Sequence, residues 1–209
     1  MDLYDYPPML FIERPLAFDA PGWIWEIKLD GWRLTAMFGD GHCQLRTRNG
    51  ANATAWFPEV ARSLARVPGG PYIVDGEACV LDDSGRSDFD RIQARGLRKR
   101  WVEGGDPVRY AIFDIMVDHR INVMNLGLLQ RKAILGALLD PCPDNVLVVG
   151  YFDSDIDRVF DEAVLGLKLE GLVAKKSDSF YCPGVRTRDW VKVKRKGAVP
   201  AERFTREPK

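Results

Sequence analysis

Apolar and polar residues alternate along Trp23-Ile24-Trp25-Glu26-Ile27-Lys28, and this period of two predicts a strand over 23–29. Trp23, Trp25 and Ile27 point one way, while Ile24, Glu26 and Lys28 point the other, so Glu26 and Lys28 share a face. Similar runs predict strands at 33–38, 43–47, 72–82 (broken by Gly76), 109–117, 170–175 and 189–195. A helical stripe of Ala55, Val60, Ala61, Leu64 and Ala65 predicts a helix over 54–66, with Pro58 in its first turn. Further helices are expected at 88–100, which is strongly basic, at 128–139, and at 155–167, where Ile156, Val159, Phe160, Ala163 and Leu167 share a side. Residues 1–22, rich in proline and aromatics, read as an extended lead-in. Strand and helix alternate irregularly, which favours an α+β fold with antiparallel sheets over a doubly wound one.

Composition narrows this only slightly. The 209 residues are 46% hydrophobic, enough for one large domain or two small ones. Thirty basic residues balance thirty acidic ones, so nucleic-acid binding would have to come from a local patch. Cys43, Cys79, Cys142 and Cys182 are dispersed and only His42 and His119 are present, which argues against a zinc site and fits a reducing, cytoplasmic setting. The start lacks the pattern of a signal peptide, and no apolar run is long enough to span a membrane.

The candidate chemistry begins at Glu26-Ile27-Lys28-Leu29-Asp30-Gly31-Trp32-Arg33. A lysine at a strand end, followed by an Asp-Gly turn, can be an ordinary solvated side chain. It can also be a nucleophile, which must be neutral and held near its electrophile. A nearby Arg33 favours the neutral amine and can hold a phosphate. Asp75-Gly76-Glu77 lies in an apolar strand, where two carboxylates need partners: a structural cation, or the hydroxyls of a ribose. Phe113 in Tyr110-Ala111-Ile112-Phe113-Asp114-Ile115 is either core or a stacking platform for a base. Glu170 is a candidate ligand for Mg²⁺ and Lys175 a candidate phosphate contact, and both reach one cleft only if the chain kinks at Gly171. In Asp189-Trp190-Val191-Lys192-Val193-Lys194-Arg195-Lys196, alternation puts Trp190, Lys192, Lys194 and Lys196 on one face with Val191 and Val193 toward the core. Two adjacent lysines repel, and a polyphosphate would relieve them; a solvated basic edge is the plainer reading.

Taken in order, these segments resemble the motifs of the covalent nucleotidyltransferases, the polynucleotide ligases and capping enzymes. The chain is most similar to the adenylation domain of ATP-dependent DNA ligases of the bacterial end-joining type. Arg46-Thr47-Arg48-Asn49-Gly50, Gly85-Arg86-Ser87-Asp88-Phe89 and Pro183-Gly184-Val185-Arg186-Thr187-Arg188-Asp189-Trp190 add to the resemblance, which runs from Pro8-Met9-Leu10 to Lys194. It implies an ATP-grasp-like nucleotidyltransferase fold: two subdomains of antiparallel sheets, flanked by helices, around a nucleotide cleft. It implies that Lys28 attacks the α-phosphate of ATP and carries AMP, that Glu26 reads the adenine edge, and that Arg33 and Arg48 contact phosphate, nucleotide or the nicked strand. By the same resemblance Glu77 binds the ribose, Phe113 stacks on adenine, Glu170 assists Mg²⁺ or Mn²⁺, and Lys192 and Lys194 steady the α-phosphate. AMP would then pass to a 5′-phosphate of nicked double-stranded DNA, and the nick would be sealed. The basic run Arg91, Arg95, Arg98, Lys99 and Arg100 would track DNA or form a solvated helix face.

The resemblance places the adenylation domain at 1–196 and the start of a linker at 197–209. Ligases of this kind continue into an OB-fold domain, so the expectation is weak self-adenylation here, with a separate OB-fold or end-joining protein as a possible partner. Gly127 and Gln130 stand where the bacterial members have proline and an acid. RNA ligase, capping-type guanylyltransferase and a non-catalytic nick-binding module are the alternative readings.

Overall fold

The computed structural model describes residues 1–198, so the linker expected from 197 onward lies almost wholly outside the described residues. Two sheets organise the chain. The first contains β1 (Leu10–Glu13), β2 (Trp23–Ile27), β9 (Gly171–Lys176) and β10 (Arg186–Lys194), in the order β1-β10-β9-β2. The second contains β3 (Trp32–Gly39), β4 (His42–Thr47), β5 (Tyr72–Cys79), β6 (Arg109–Asp118) and β7 (Ile121–Asn122), in the order β4-β3-β5-β6-β7, with β8 (Val146–Val148) also on β6. Pairing is antiparallel except for β1 with β10 and β6 with β8. This is the α+β architecture that the irregular alternation of elements predicts.

The helices cover outer faces. Helix α1 (Pro58–Ala65) starts at its proline, which needs no hydrogen-bond donor there, so the predicted residues 54–57 fall outside it. Helix α2 (Phe89–Leu97) is capped by Asp88, whose side chain accepts from the Arg91 N–H, and it ends before the basic residues 98–100. Helix α3 (Leu128–Leu138) opens at Gly127, whose N–H donates to Gln130 Oε1 at 3.1 Å, so the Gly127 and Gln130 departures leave its start intact. The segment predicted as one helix over 155–167 is a short α4 (Ile156–Val159) running into a π-helical stretch, Phe160–Leu165.

Three apolar clusters hold these layers. One joins α1, α3 and the outer face of the second sheet through Leu34, Leu45, Val60, Leu64, Ile112 and Leu135. Another lies under the first sheet, around Trp25, Val164, Leu172 and Val191. The third lies between the sheets: Trp190 of β10 meets Phe113 of β6 edge-on at 6.1 Å, with Met9, Ile73 and Tyr181 around them. Trp190 and Val191 are therefore both fully buried, and β10 has apolar cover on each face. The predicted alternation holds, with Val191 and Val193 in the cluster under the first sheet and Trp190 on the opposite face, but the plainer reading of that face as a solvated edge does not, because the second sheet covers Trp190. The lead-in also holds more structure than predicted: a 3-10 turn at Leu3–Asp5 and β1.

Candidate active site

Between the sheets lies a cleft of about 700 Å³, lined by residues from both. Lys28, which lines it, sits where the chain leaves β2 of the first sheet and enters β3 of the second. Its N–H donates to the Gly171 carbonyl at 3.0 Å. The turn needs its glycine: a Cβ on Gly31 would lie 2.1 Å from the Ala78 carbonyl oxygen, which cannot move without displacing β5. Gly171 is equally constrained, since its Cβ would lie 2.2 Å from the Val193 carbonyl oxygen. This close approach carries Glu170 to the lysines, but Glu170 and Lys175 line different cavities rather than the one cleft expected of a kink at Gly171. Glu170 contacts Lys28 Nζ directly and lies 3.3 Å from Lys194 Nζ. Its side chain also borders a smaller neighbouring cavity with Asp30, Asp88 and Lys168.

Glu77 and Phe113 also line the cleft. The Glu77 side chain makes no hydrogen bond or ion pair among the described residues. Burial pushes its carboxyl up to about 7, against the charges of Arg33 and Lys28, which pull it down. Phe113 reaches the cleft through a β-bulge. Asp75 pairs with Asp114 and Gly76 with Ile112, so Phe113 is the extra residue between them. Gly76 does not break the strand, which runs on to Cys79. It makes room, since a Cβ there would lie 2.6 Å from the Ala111 carbonyl oxygen and 2.7 Å from the Tyr110 ring.

Arg33 is placed differently from a free phosphate contact. Its Nε and Nη2 each donate to Asp75 at 2.6 Å, and Nη2 also donates to the Met9 carbonyl. Its guanidinium carbon stands 4.5 Å from the Phe113 ring centre and 4.8 Å from that of Phe11. Burial works against its charge, but Asp75 outweighs that and holds the guanidinium more firmly protonated than usual. Arg33 borders the cleft as a fixed charge behind Phe113, and Tyr181 donates its hydroxyl to Asp75 from the other side. The sequence reading of Asp75 and Glu77 thus divides: Asp75 has the structural cation, and Glu77 remains unpaired.

Glu26 faces the cleft on the same side as Lys28, but it is buried between two lysines. Lys132 Nζ lies 2.6 Å away and Lys175 Nζ 2.8 Å, close ion pairs that miss the directions of good hydrogen bonds. Lys175 is held 4.1 Å from the centre of the Phe113 ring and 4.2 Å from that of Trp190. Burial lowers its ammonium to about 8 despite Glu26. Lys132 is the residue that sequence reasoning missed. Nothing marks it as different from other lysines on a helix until α3 packs on β6, where its ammonium donates to the carbonyls of Phe113 and Val149.

Lys192 lines the cleft, and Lys194 stands beside Glu170. Glu13, on the unpredicted β1, lies 3.1 Å from Lys192 and 3.6 Å from Lys194, so a carboxylate relieves their mutual repulsion. The bond from Lys192 and the charge of Lys194 hold the Glu13 carboxyl below the usual carboxylate range, against its partial burial. Arg48 is exposed at the cleft rim, its N–H bonded to the Arg33 carbonyl at 3.1 Å. Among the described residues no cluster of three His, Cys, Asp or Glu side chains could hold a metal alone. Glu170, beside Lys28 and Lys194, is a single carboxylate of the kind that a hard cation shares with phosphate and water. The four cysteines are free, and no helix among the described residues is long and apolar enough to cross a membrane.

The sequence model of a family described as the ATP dependent DNA ligase domain matches residues 12–194. A multifunctional non-homologous end joining protein, LigD, of Pseudomonas aeruginosa is 34% identical over 173 residues, 82% of this chain and 20% of the relative. The LigD of Mycolicibacterium smegmatis is 32% identical over 91% of this chain and 24% of its own length. The chain thus spans about a fifth to a quarter of the length of these two relatives. Among solved structures, the ligase domain of M. tuberculosis LigD superposes with a TM-score of 0.78 at 29% identity, covering 93% of this chain and 62% of that one. A mycobacterial DNA ligase D complexed with ATP and MES gives 0.77 at the same identity and coverage.

Proposed function

The chain belongs to the family of ATP-dependent DNA ligase domains, and on that premise we propose that it forms a covalent AMP adduct on Lys28 and passes the AMP to DNA. One observation carries the reading. Lys28, which lines the cleft, meets Lys194 across a single carboxylate, Glu170, and the same cleft is lined by an aromatic ring and an unpaired carboxyl, Phe113 and Glu77. Such a set suits a nucleoside triphosphate: cations for phosphate, an acceptor for ribose hydroxyls and a ring for the base.

In the first step the Lys28 amine attacks the α-phosphorus of ATP. An Nζ–P bond forms, the bond to the bridging oxygen breaks, and pyrophosphate leaves with that electron pair. The amine must shed a proton and loosen its contact with Glu170 to react. Lys192 and Lys194 neutralise charge on the α-phosphate after exchanging Glu13 for it. Glu77 accepts from the ribose hydroxyls and Phe113 stacks on the base. Buried Glu26, with Lys132 and Lys175, forms the polar wall beside the base, and Arg33 fixes the Phe113 side of the cleft. Mg²⁺ or Mn²⁺ would be held by Glu170 together with nucleotide phosphates, supplying further charge neutralisation. Next, a 5′-phosphate at a nick attacks the lysyl-AMP and the N–P bond breaks. Then the adjacent 3′-hydroxyl attacks that 5′-phosphate, and AMP leaves as the strand is joined. Nicked duplex DNA is the proposed acceptor, with Arg48 at the rim on its path, and the end-joining relatives suggest repair of breaks as the setting.

Incubation with α-labelled ATP or GTP tests this. Label retained on the protein from ATP alone, acid-labile and absent in Lys28→Ala, is the expected result. Label from GTP would move the chain to capping chemistry. Absence of label, together with failure to seal a pre-adenylylated nick, would leave only a binding module.

A further inference from the structure

The basic run after Asp88 separates into two groups. Arg91 is ion-paired with Asp106. Arg95 is buried: its Nη1 donates to the carbonyls of Trp56 and Arg100 at 2.9 and 3.0 Å, and its Nη2 to Glu59 at 3.1 Å. These two arginines hold the base of the loop that follows α2. Arg98, Lys99 and Arg100 are all exposed, and none makes an ion pair among the described residues. Leu97 and Trp101, on either side, are 63% and 52% exposed. Segment 97–101 contains no acid.

This segment stands next to the cleft. Trp32 and Trp56 line the cleft wall, Gly96 packs against the Trp32 ring, and Lys99 Nζ lies 5.9 Å from the centre of the Trp56 ring. Lys99 adopts a left-handed backbone (φ 53°), a strained conformation for a lysine, with its N–H fixed on the Gly96 carbonyl at 3.0 Å. The cations are thus presented from a braced turn rather than a helix face. A single nucleotide in the cleft leaves this lip outside it. A duplex carries one charge per about 1.7 Å of axis and reaches well beyond the reacting phosphate. Trp101 adds an amphipathic ring for sugar and backbone.

We propose that the lip Leu97–Trp101 is a DNA-backbone clamp: Arg98, Lys99 and Arg100 bind phosphates of the duplex flanking the nick whose end lies in the cleft. The proposal rests on the ligase reading above. Because it concerns DNA binding and not nucleotide chemistry, the two fail separately.

The test is the salt dependence of binding to a nicked duplex, for the full chain and for a variant with Arg98, Lys99 and Arg100 all changed to Ala. Each lost phosphate contact flattens the log–log slope by about 0.9, so the variant's slope should fall by roughly two to three and its affinity by at least about tenfold at moderate salt. Lysyl-AMP formation from ATP alone should not change. A second variant, Arg98→Lys with Arg100→Lys, keeps the charge and should keep the slope. Equal slopes and affinities for the triple variant and the unaltered chain would overturn the clamp, as would an unaltered chain that does not bind the duplex. A slope lost in the triple variant while the unaltered chain forms no adduct with ATP would uphold the clamp and count against the catalytic reading.

Discussion

At the scale of single residues, the central fact is that equivalent side chains have unequal partners. Asp75 and Glu77 stand two apart on β5, yet Arg33 and Tyr181 occupy the Asp75 carboxylate while the Glu77 carboxyl has no hydrogen bond among the described residues. The sequence shows two carboxylates in an apolar strand; it cannot show which one takes the cation, because that depends on the reach of Arg33 from β3. The unpaired state has a measurable signature. The Glu77 carboxyl ordinarily titrates near 4.5 and in the fold near 7, so the folded chain binds that proton more tightly than the unfolded chain. Ionisation therefore erodes stability as pH rises from 4.5 through 7, and the loss is complete above that. Glu77→Gln should raise stability in urea unfolding at pH 8 by on the order of 2 kcal/mol and leave it unchanged at pH 4. The same substitution should weaken ATP binding about tenfold, and it should abolish the rise in affinity between pH 6 and 8 that the unaltered carboxylate gives. Phe113→Leu offers a complementary check at the same scale. It keeps an apolar side chain of similar size but removes the ring, so ATP binding should weaken roughly tenfold while stability falls by less than about 1.5 kcal/mol.

At the scale of elements, the strong periodic segments were legible and their ends were not. The strand before Lys28, the strand at 109–117 and the helix at 128–139 follow directly from spacing. The strand predicted at 72–82 stops at Cys79, and the helix predicted to 100 stops at Leu97. Strands β1, β7 and β8 are two to four residues long, too short for a period to show, and β1 brings Glu13 to the lysines. Glycine marked the right places for a reason sequence cannot supply. Gly31, Gly76 and Gly171 each sit where a Cβ would strike a neighbouring strand's carbonyl. Gly31→Ala should push the turn off β5, lowering the thermal midpoint and slowing adduct formation. It should do both more severely than Gly41→Ala, where a Cβ has open space and only a left-handed backbone resists. The Arg33–Asp75 pair is likewise a joint between elements, tying β3 to β5 with Tyr181 and Met9 around it. Asp75→Asn leaves the guanidinium buried without its counter-charge and should cost about 3–5 kcal/mol in chemical denaturation. A loss below about 1 kcal/mol would mean that the pair is not closed in solution.

For the whole molecule, α+β class and antiparallel pairing were readable, while the seam between the sheets was not. Alternation put Trp190 on the face of Lys192 and Lys194 but could not show that the second sheet covers it, where it meets Phe113 edge-on as a buried contact between the sheets. The cleft exists because the chain changes sheet at Lys28 and because β9 and β10 return to the first sheet late in the sequence. Contacts of such long range leave no local pattern. A ligand that spans the cleft touches both sheets, so saturation should stabilise the chain globally: about 2.7 kcal/mol at one hundred times Kd. A denaturant titration with ATP in the absence of divalent cations should show that increment as a single transition, and a second transition would mean that the sheets unfold independently.

The most direct test of Lys28 as the nucleophile is intact-mass and peptide mass spectrometry after incubation with ATP and Mg²⁺. One AMP per chain, mapped to the peptide containing Lys28 and absent from Lys28→Arg, is the expected result. AMP mapped to Lys175, Lys192 or Lys194, or retained by Lys28→Arg, would contradict it.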